Sequence, residues 1–164
     1  MDYLINNAAS GVQKLASELE TKHWEWTLNI NAKAPWLCSV AASKLMKDGG
    51  SIVNISSLGS TKVVPYYFSV GTSKAALEAI TKYLAVEFAE KKINVNAISA
   101  GLVETDALKS FPNKKSMISD SLNNPSGRSL TKADIANLVI FLCSKKSEMI
   151  KGQTIIIDGG YNLI

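Results

Sequence analysis

The sequence is poor in the residues that build metal sites and disulfide frameworks. It has one histidine, His23, and two cysteines, Cys38 and Cys143, which lie far apart in apolar helical stretches. A metal site needs several convergent histidine, cysteine or carboxylate ligands, and a disulfide framework needs a spaced, even set of cysteines. We therefore expect no metal site, no histidine-based catalytic triad, and two buried free thiols.

Long apolar runs and a targeting segment are also missing. No window reaches the roughly 18 uninterrupted apolar residues of a membrane span, and the opening MDYLINNAAS does not resemble a signal peptide. We expect a cytoplasmic protein with no membrane partner. Arg128 is the only arginine, and the lysines are scattered without a basic stripe, so we expect no nucleic-acid partner. The net charge of +4 favours an anionic partner such as a phosphorylated cofactor or an acidic carrier.

Strand-like and helix-like segments alternate along the chain. Short β-rich runs occupy residues 3–5, 51–56, 93–99 and 153–160, and helical periodicity runs through residues 21–47, 68–90 and 132–143. This order predicts an α/β fold with a doubly wound, Rossmann-like parallel sheet that has helices on both faces. We expect residues 1–164 to form a single domain, with Pro35 kinking the first long helix. Residues 105–121 look like short helices in a mobile flap.

One part of a doubly wound fold is absent from these residues. Such folds bind the pyrophosphate of a dinucleotide on a glycine-rich turn after the first strand, but the sequence contains neither GxGxxG nor GxxxGxG. At about 30 residues per βαβ unit, three absent strand–helix steps amount to roughly 80 to 90 residues. We therefore expect an N-terminally truncated domain that lacks its N-terminal strand–helix units.

A series of short motifs resembles the short-chain dehydrogenase/reductase family in the order in which they occur. The motifs are Asn6–Asn7–Ala8–Ala9, Asn31 in NINAKA, Ile55–Ser56–Ser57, Lys74 in SKAALEA, Ala100–Gly101 through Thr105, and Ile157–Asp158–Gly159–Gly160. Ser57 lies 17 residues before Lys74, as the serine of that family does. The resemblance implies that the catalytic residues are Asn31, Ser57, Tyr67 and Lys74. It implies that the cofactor-binding residues are Asn7, Ala8, Lys74, Gly101, Val103 and Thr105.

The tyrosine departs from the commoner pattern of that family. Tyr-x3-Lys would place it at residue 70, which is Val70, whereas the nearest tyrosine is Tyr67, giving Tyr-x6-Lys with Lys74. This spacing is similar to that of the enoyl-acyl-carrier-protein reductases, and the wider sequence looks most like their NADPH-dependent type III. On a helix the two side chains would stand about two turns, or ~10 Å, apart along the axis. That spacing moves the phenol outwards, towards the oxygen of an enolate.

The resemblance implies a reaction and a role for each residue. The protein is expected to reduce the C2–C3 double bond of an enoyl-acyl-carrier-protein thioester in fatty-acid synthesis, with NADPH. Tyr67 would stabilise the enolate as an oxyanion donor, and Lys74 would bind the nicotinamide ribose. Asn31 would help to hold Lys74 through water. Ser57, Tyr67 and Phe111 would contact substrate, and the long helices are expected to pair subunits in a homodimer or homotetramer.

Alternatives stay open on the sequence. The chain could be a 3-oxoacyl-carrier-protein reductase or another ketone reductase with a shifted tyrosine, or a non-catalytic remnant that only pairs with a full-length relative. From the residues alone, Tyr66 and Tyr67 could be half-buried loop aromatics and Lys74 a surface lysine. Phe111 and Met117 could line an acyl pocket or simply pack in a core.

We predict that the 164-residue chain binds NADPH weakly. A glycine-rich turn would supply several charge-assisted hydrogen bonds to the pyrophosphate, and the sequence has no such turn. Calorimetric titration of the chain should therefore show no saturation at micromolar NADPH. A micromolar dissociation constant would contradict the prediction.

Overall fold

A computed structural model describes residues 1–105, 108 and 114–164. Its strands are β1 (Tyr3–Asn6), β2 (Gly50–Ser57), β3 (Ile93–Ala100) and β4 (Thr154–Ile157). Its helices are α1 (Thr21–Leu28), α2 (Ala34–Ser43), α3 (Phe68–Glu87), α4 (Lys114–Leu122) and α5 (Lys132–Leu142). Strands and helices alternate, as the sequence predicted.

The strands form one parallel sheet in the order β1–β2–β3–β4. The longest ladder joins β2 to β3 over the full length of both strands, from the pair Gly50–Ile93 to the pair Ser57–Ala100. Parallel neighbours need crossover connections, which helices supply. The predicted α/β Rossmann-like architecture is confirmed, and all four strands direct their carboxyl ends to the same edge of the sheet.

Two apolar clusters attach the helices to opposite faces of that sheet. The first joins α2 and α3 to the sheet through Ala42, Met46, Ile52, Leu84, Ala85, Phe88, Ile93 and Val95. The second joins α5 to the other face through Val53, Ile98 and Leu142. Neighbouring residues of a strand point to opposite faces, so Ile52 and Val53 belong to different clusters although both are buried. The first cluster thus holds the C-terminal half of α3 against the first half of β2.

The first long helical segment is broken where the sequence predicted one kinked helix. α1 and α2 are separated by a π-helical turn, Asn29–Lys33, and α2 ends at Ser43 instead of Lys47. Pro35 stands in the first turn of α2. It has no N–H to bond the carbonyl of Asn31, four residues earlier, and π turns often form where this ladder is interrupted. Asn31 therefore lies on the π-helical turn between α1 and α2.

The cysteines differ from the expectation of two buried thiols. Cys38 is exposed on α2, so that expectation is wrong for this residue. Cys143 is half-buried at the end of α5, and burial raises the pKa of its thiol. Within the described ranges, none of the helices is both long and apolar enough to cross a membrane.

We predict that the chain self-associates along β1. Among the strands that the structure describes, β1 pairs with β2 alone, and its apolar side chains are partly exposed, 54% for Tyr3 and 39% for Ile5. An open edge of this kind promotes pairing with another chain. Tyr3→Lys should lower the mass measured by light scattering with little change in thermal midpoint. Met149→Lys, at an exposed turn after α5, is the matched control and should leave the mass unchanged. An unchanged mass for Tyr3→Lys would contradict pairing along β1.

Candidate active site

The candidate site lies at the carboxyl edge of the sheet, where open α/β folds bind their ligands. Ser57 ends β2, and a short 3₁₀ turn, Leu58–Ser60, follows it. Tyr67 stands immediately before α3, and Lys74 lies in the second turn of that helix. The fold therefore brings the serine, the tyrosine and the lysine to the same edge.

Tyr67 is fixed by both its backbone and its side chain. Its N–H donates to the carbonyl of Val64 at 3.1 Å, and its carbonyl accepts from the N–H of Gly71 at 2.7 Å. Its phenol and the hydroxyl of Ser57 form a hydrogen bond. Burial raises the pKa of the Tyr67 phenol, and the bond with Ser57 acts in the opposite direction. The phenol is therefore protonated at neutral pH and able to donate.

The backbone before α3 turns sharply. Tyr66 has φ +63°, in the left-handed region that a bulky L-residue rarely adopts. Tyr67 itself has φ −104° and ψ 15°, so it caps the helix from outside. The predicted separation of about two helical turns treats both Tyr67 and Lys74 as helical residues. In the structure α3 begins at Phe68, so Tyr67 lies just outside the helix.

Lys74 is a buried cation. The residue is only 6% exposed, and its Nζ donates to the carbonyl of Ile55 at 2.7 Å. Desolvation lowers the pKa of its ammonium to about 8. A buried charge needs hydrogen-bond partners, and Ile55 on β2 supplies one. An ammonium carries three N–H donors, so the group can serve further acceptors such as the hydroxyls of a ribose.

Asn31 joins three segments of the chain. Its fully buried amide donates to the carbonyl of Ser10 at 2.8 Å and to the hydroxyl of Ser73 at 2.9 Å, and it accepts from the N–H of Ser10 at 2.9 Å. Ser73 is the residue before Lys74. The Asn31 side chain therefore fixes the loop after β1 against α3. The water-mediated contact to Lys74 stays a prediction.

Most of the predicted cofactor residues line one cavity of about 560 Å³ above the ends of β1, β2 and β3. Its walls include Asn7, Ser57, Gly101, Val103 and Thr105. Ala8 follows Asn7 on the exposed loop after β1. The described residues bring together no group of three histidine, cysteine or carboxylate side chains suited to a metal ion. The cavity is large enough for part of a dinucleotide, but the sequence provides no phosphate turn beside it.

A second cavity, of about 440 Å³, adjoins the first and shares Ser57, Ala100, Gly101, Val103 and Thr105 with it. Apolar residues make up most of its remaining wall, and Tyr67 reaches it from the side. Apolar wall residues are Leu58, Val63, Val64, Pro65, Ala100, Leu102, Leu108 and Met117. Met117 is thus placed as an acyl pocket would require, whereas Phe111 lies outside the described residues. Such a cavity suits an acyl chain.

Sequence reasoning missed several groups that shape the site. The carbonyl of Ile55 and the side chains of Ser10 and Ser73 carry no motif signal, because their roles depend on contacts between distant segments. Gly59 and Gly71 lie close to Tyr67. Gly71 could have been noticed, since a glycine inside a helical pattern needs a packing or functional reason.

Comparison with known proteins gives a consistent result. A family model described as enoyl-(acyl carrier protein) reductase matches residues 1–162. The 1-cyclohexenylcarbonyl-CoA reductase of Streptomyces collinus is 36% identical over 169 residues, which span 100% of this chain and 60% of that protein. The enoyl-[acyl-carrier-protein] reductase [NADH] FabI of Rickettsia felis is 39% identical over 139 residues, which span 84% of this chain and 54% of that protein.

A solved structure agrees in fold. The crystal structure of an enoyl-(acyl-carrier-protein) reductase from Anaplasma phagocytophilum, in complex with NAD, matches with a TM-score of 0.93 at 31% identity. The match covers 100% of this chain and 64% of the other. The chain thus spans a little more than half the length of the curated relatives that it matches. It belongs to the enoyl-(acyl carrier protein) reductase family of oxidoreductases.

Proposed function

We propose that this protein reduces the C2–C3 double bond of an enoyl thioester carried by an acyl carrier protein, with NADPH as reductant. The observation that carries the proposal is the arrangement around Tyr67. Its protonated phenol, hydrogen-bonded to Ser57, borders an apolar cavity next to the cavity that most of the predicted cofactor residues line. The dinucleotide would lie along the carboxyl edge, with its ribose at Lys74.

The chemistry requires stabilisation of a negative charge away from the carbon that is reduced. NADPH, when bound, would supply the hydride for C3, and the negative charge would then develop on the thioester oxygen. Tyr67 donates its phenolic hydrogen bond to that oxygen, as an oxyanion donor does. Ser57 orients the phenol. A proton taken up from solvent at C2 completes the addition of two hydrogens.

Position 70 supports this reading over ketone reduction. Val70 is only 6% exposed, and its Cγ2 would lie 2.3 Å from a Cβ atom added to Gly11. It therefore faces the loop after β1 and packs against it. Tyr67, immediately before α3, supplies the phenol instead, and it borders the cavity proposed for the acyl chain.

The identities of reductant and carrier are parts of the same proposal. The Rickettsia felis relative is named for NADH, and NADPH is proposed here from the sequence resemblance to type III enzymes. The Streptomyces collinus relative is named for a coenzyme A thioester, whereas the net charge of +4 suits an acidic carrier protein. Turnover rates measured with NADPH and with NADH would identify the reductant. Rates measured with an acyl-carrier-protein thioester and with a coenzyme A thioester would identify the carrier.

A second candidate is a ketone reductase. The hydrogen bond between Ser57 and Tyr67 favours it, because two neighbouring hydroxyls could both donate to a ketone oxygen. A third is a non-catalytic subunit that only pairs with another chain. Several apolar side chains are exposed on α2 and α3, among them Trp36, Leu37, Tyr83 and Val86. They support pairing in a homodimer or homotetramer whether or not the protein is catalytic.

We predict that Tyr67→Phe lowers turnover of a crotonyl thioester by about 100-fold or more, the typical cost of one oxyanion donor. The measurement uses a chimera in which the N-terminal strand–helix units of a curated relative precede Met1. Tyr66→Phe is the matched control and should have little effect. Lys74→Ala should also raise the KM for the reductant. Near-normal turnover of the Tyr67→Phe chimera would overturn the assignment of Tyr67.

A second prediction concerns the pH dependence of stability. The Lys74 ammonium has a folded-state pKa of about 8, whereas an unfolded lysine titrates near 10.4. Between these pH values the unfolded chain binds more protons, so stability rises with pH, and the penalty is fully present below pH 8. From about pH 7.5 to about pH 9.5 the free energy of unfolding should rise by about 2 kcal/mol relative to Lys74→Met. Urea titrations of both proteins measure this difference, and parallel pH profiles would contradict it.

A further inference from the structure

The ring of Tyr67 lies directly against two glycines. A Cβ atom added to Gly59 would stand 2.5 Å from both Cδ1 and Cε1 of the Tyr67 ring. A Cβ atom added to Gly71 would stand 2.5 Å from the carbonyl oxygen of Gly59 and 3.6 Å from Cδ1 of the ring. Ring, 3₁₀ turn and helix therefore approach one another more closely than any side chain allows.

The backbone does not require glycine at either position. Neither residue is among the positive-φ glycines of the described chain. Gly71 even weakens α3, because a glycine within a helix costs about 1 kcal/mol relative to alanine. Position 59 must lack a Cβ atom because of the Tyr67 ring, and position 71 must lack one because of the carbonyl oxygen of Gly59.

We propose that Gly59 and Gly71, the phenol seat, are positioning residues that set where the Tyr67 hydroxyl lies. The inference rests on the proposed function and names two residues on which that function depends. Gly59 fixes the plane of the ring by direct contact. Gly71 lets α3 approach the turn closely enough for the phenol to reach Ser57.

The Tyr67 ring has room to move if a Cβ atom is added at position 59. Tyr67 borders the apolar cavity of about 440 Å³ on one side and another open cavity of about 470 Å³ on the other. An alanine at position 59 can thus be accommodated by displacement of the ring. Displacement by about 1 Å costs on the order of 100-fold in rate when it misplaces a catalytic group.

The direct test follows the titration of Tyr67 in the 164-residue chain by NMR of labelled tyrosine, with Tyr67→Phe to assign the signal. Burial and the Ser57 bond both depend on where the phenol lies. Gly59→Ala should therefore bring the pKa of Tyr67 back towards the usual value of about 10. Gly50→Ala is the matched control. It creates a similar contact, 2.6 Å from the carbonyl oxygen of Asp2 at the far end of β2, and should leave the Tyr67 titration unchanged.

A stability cycle covers the case in which Gly59→Ala does not fold. Tyr67→Ala removes the ring, so the added methyl group should cost far less in that background than in the original chain. Thermal unfolding of the four proteins measures the coupling between the two positions, and if Gly59→Ala alone shows no transition, the transition should return when Tyr67→Ala is added. If Gly59→Ala destabilises both backgrounds equally, or leaves the titration of Tyr67 unchanged in a folded chain, the phenol seat does not exist.

Activity of the chimera separates this inference from the proposed function. Gly59→Ala should lower enoyl turnover by about 100-fold, but should cost almost nothing further when Tyr67→Phe has already removed the hydroxyl. Fully additive losses would overturn the seat while leaving the enoyl activity intact. A chimera without enoyl activity would instead refute the proposed function, and the NMR titration would still decide on the seat.

Discussion

A buried ammonium must find a hydrogen-bond acceptor, and this requirement determines how α3 meets the sheet. Lys74 satisfies it with the carbonyl of Ile55, on β2. Because Ser57 is two residues further along the same strand, the bond also sets the start of α3 beside that serine. Tyr67, immediately before the helix, then reaches the Ser57 hydroxyl. One polar contact between helix and strand thus places the three side chains of the proposed site.

Other buried polar groups make that placement rigid. The amide of Asn6 on β1 donates to Asn54 on β2 at 2.7 Å, and the amide of Asn54 donates to Thr81 on α3 at 2.9 Å. Asn31 fixes the loop after β1 to the turn of α3 that carries Lys74. Buried amides that lose their partners are costly. The same network therefore stabilises the fold and holds the walls of both cavities at a defined distance from Tyr67.

The sequence predicted the elements well and their junctions poorly. Alternating apolar runs were enough for the parallel sheet, and the motif resemblance singled out Ser57 and Lys74, which the fold brings to one edge of that sheet. The π turn that carries Asn31, the left-handed Tyr66 and the contact of Gly59 with the Tyr67 ring could not be predicted. Each depends on segments that are distant along the chain, and none leaves a periodic signal. The expectation for Cys38 failed because an apolar helical stretch does not reveal which side of α2 faces solvent.

We propose that this site reduces a carbon–carbon double bond and not a ketone, and one competition experiment distinguishes the two reactions. The chimera can be offered crotonyl and acetoacetyl thioesters together, with a reductant deuterated at the transferable position, and the products can be examined by NMR. An enoyl reductase puts deuterium at C3 of the butyryl thioester and leaves little label in the 3-hydroxybutyryl thioester, which is the expected result. Label found mainly in the hydroxy product would refute enoyl reduction and identify a ketone reductase.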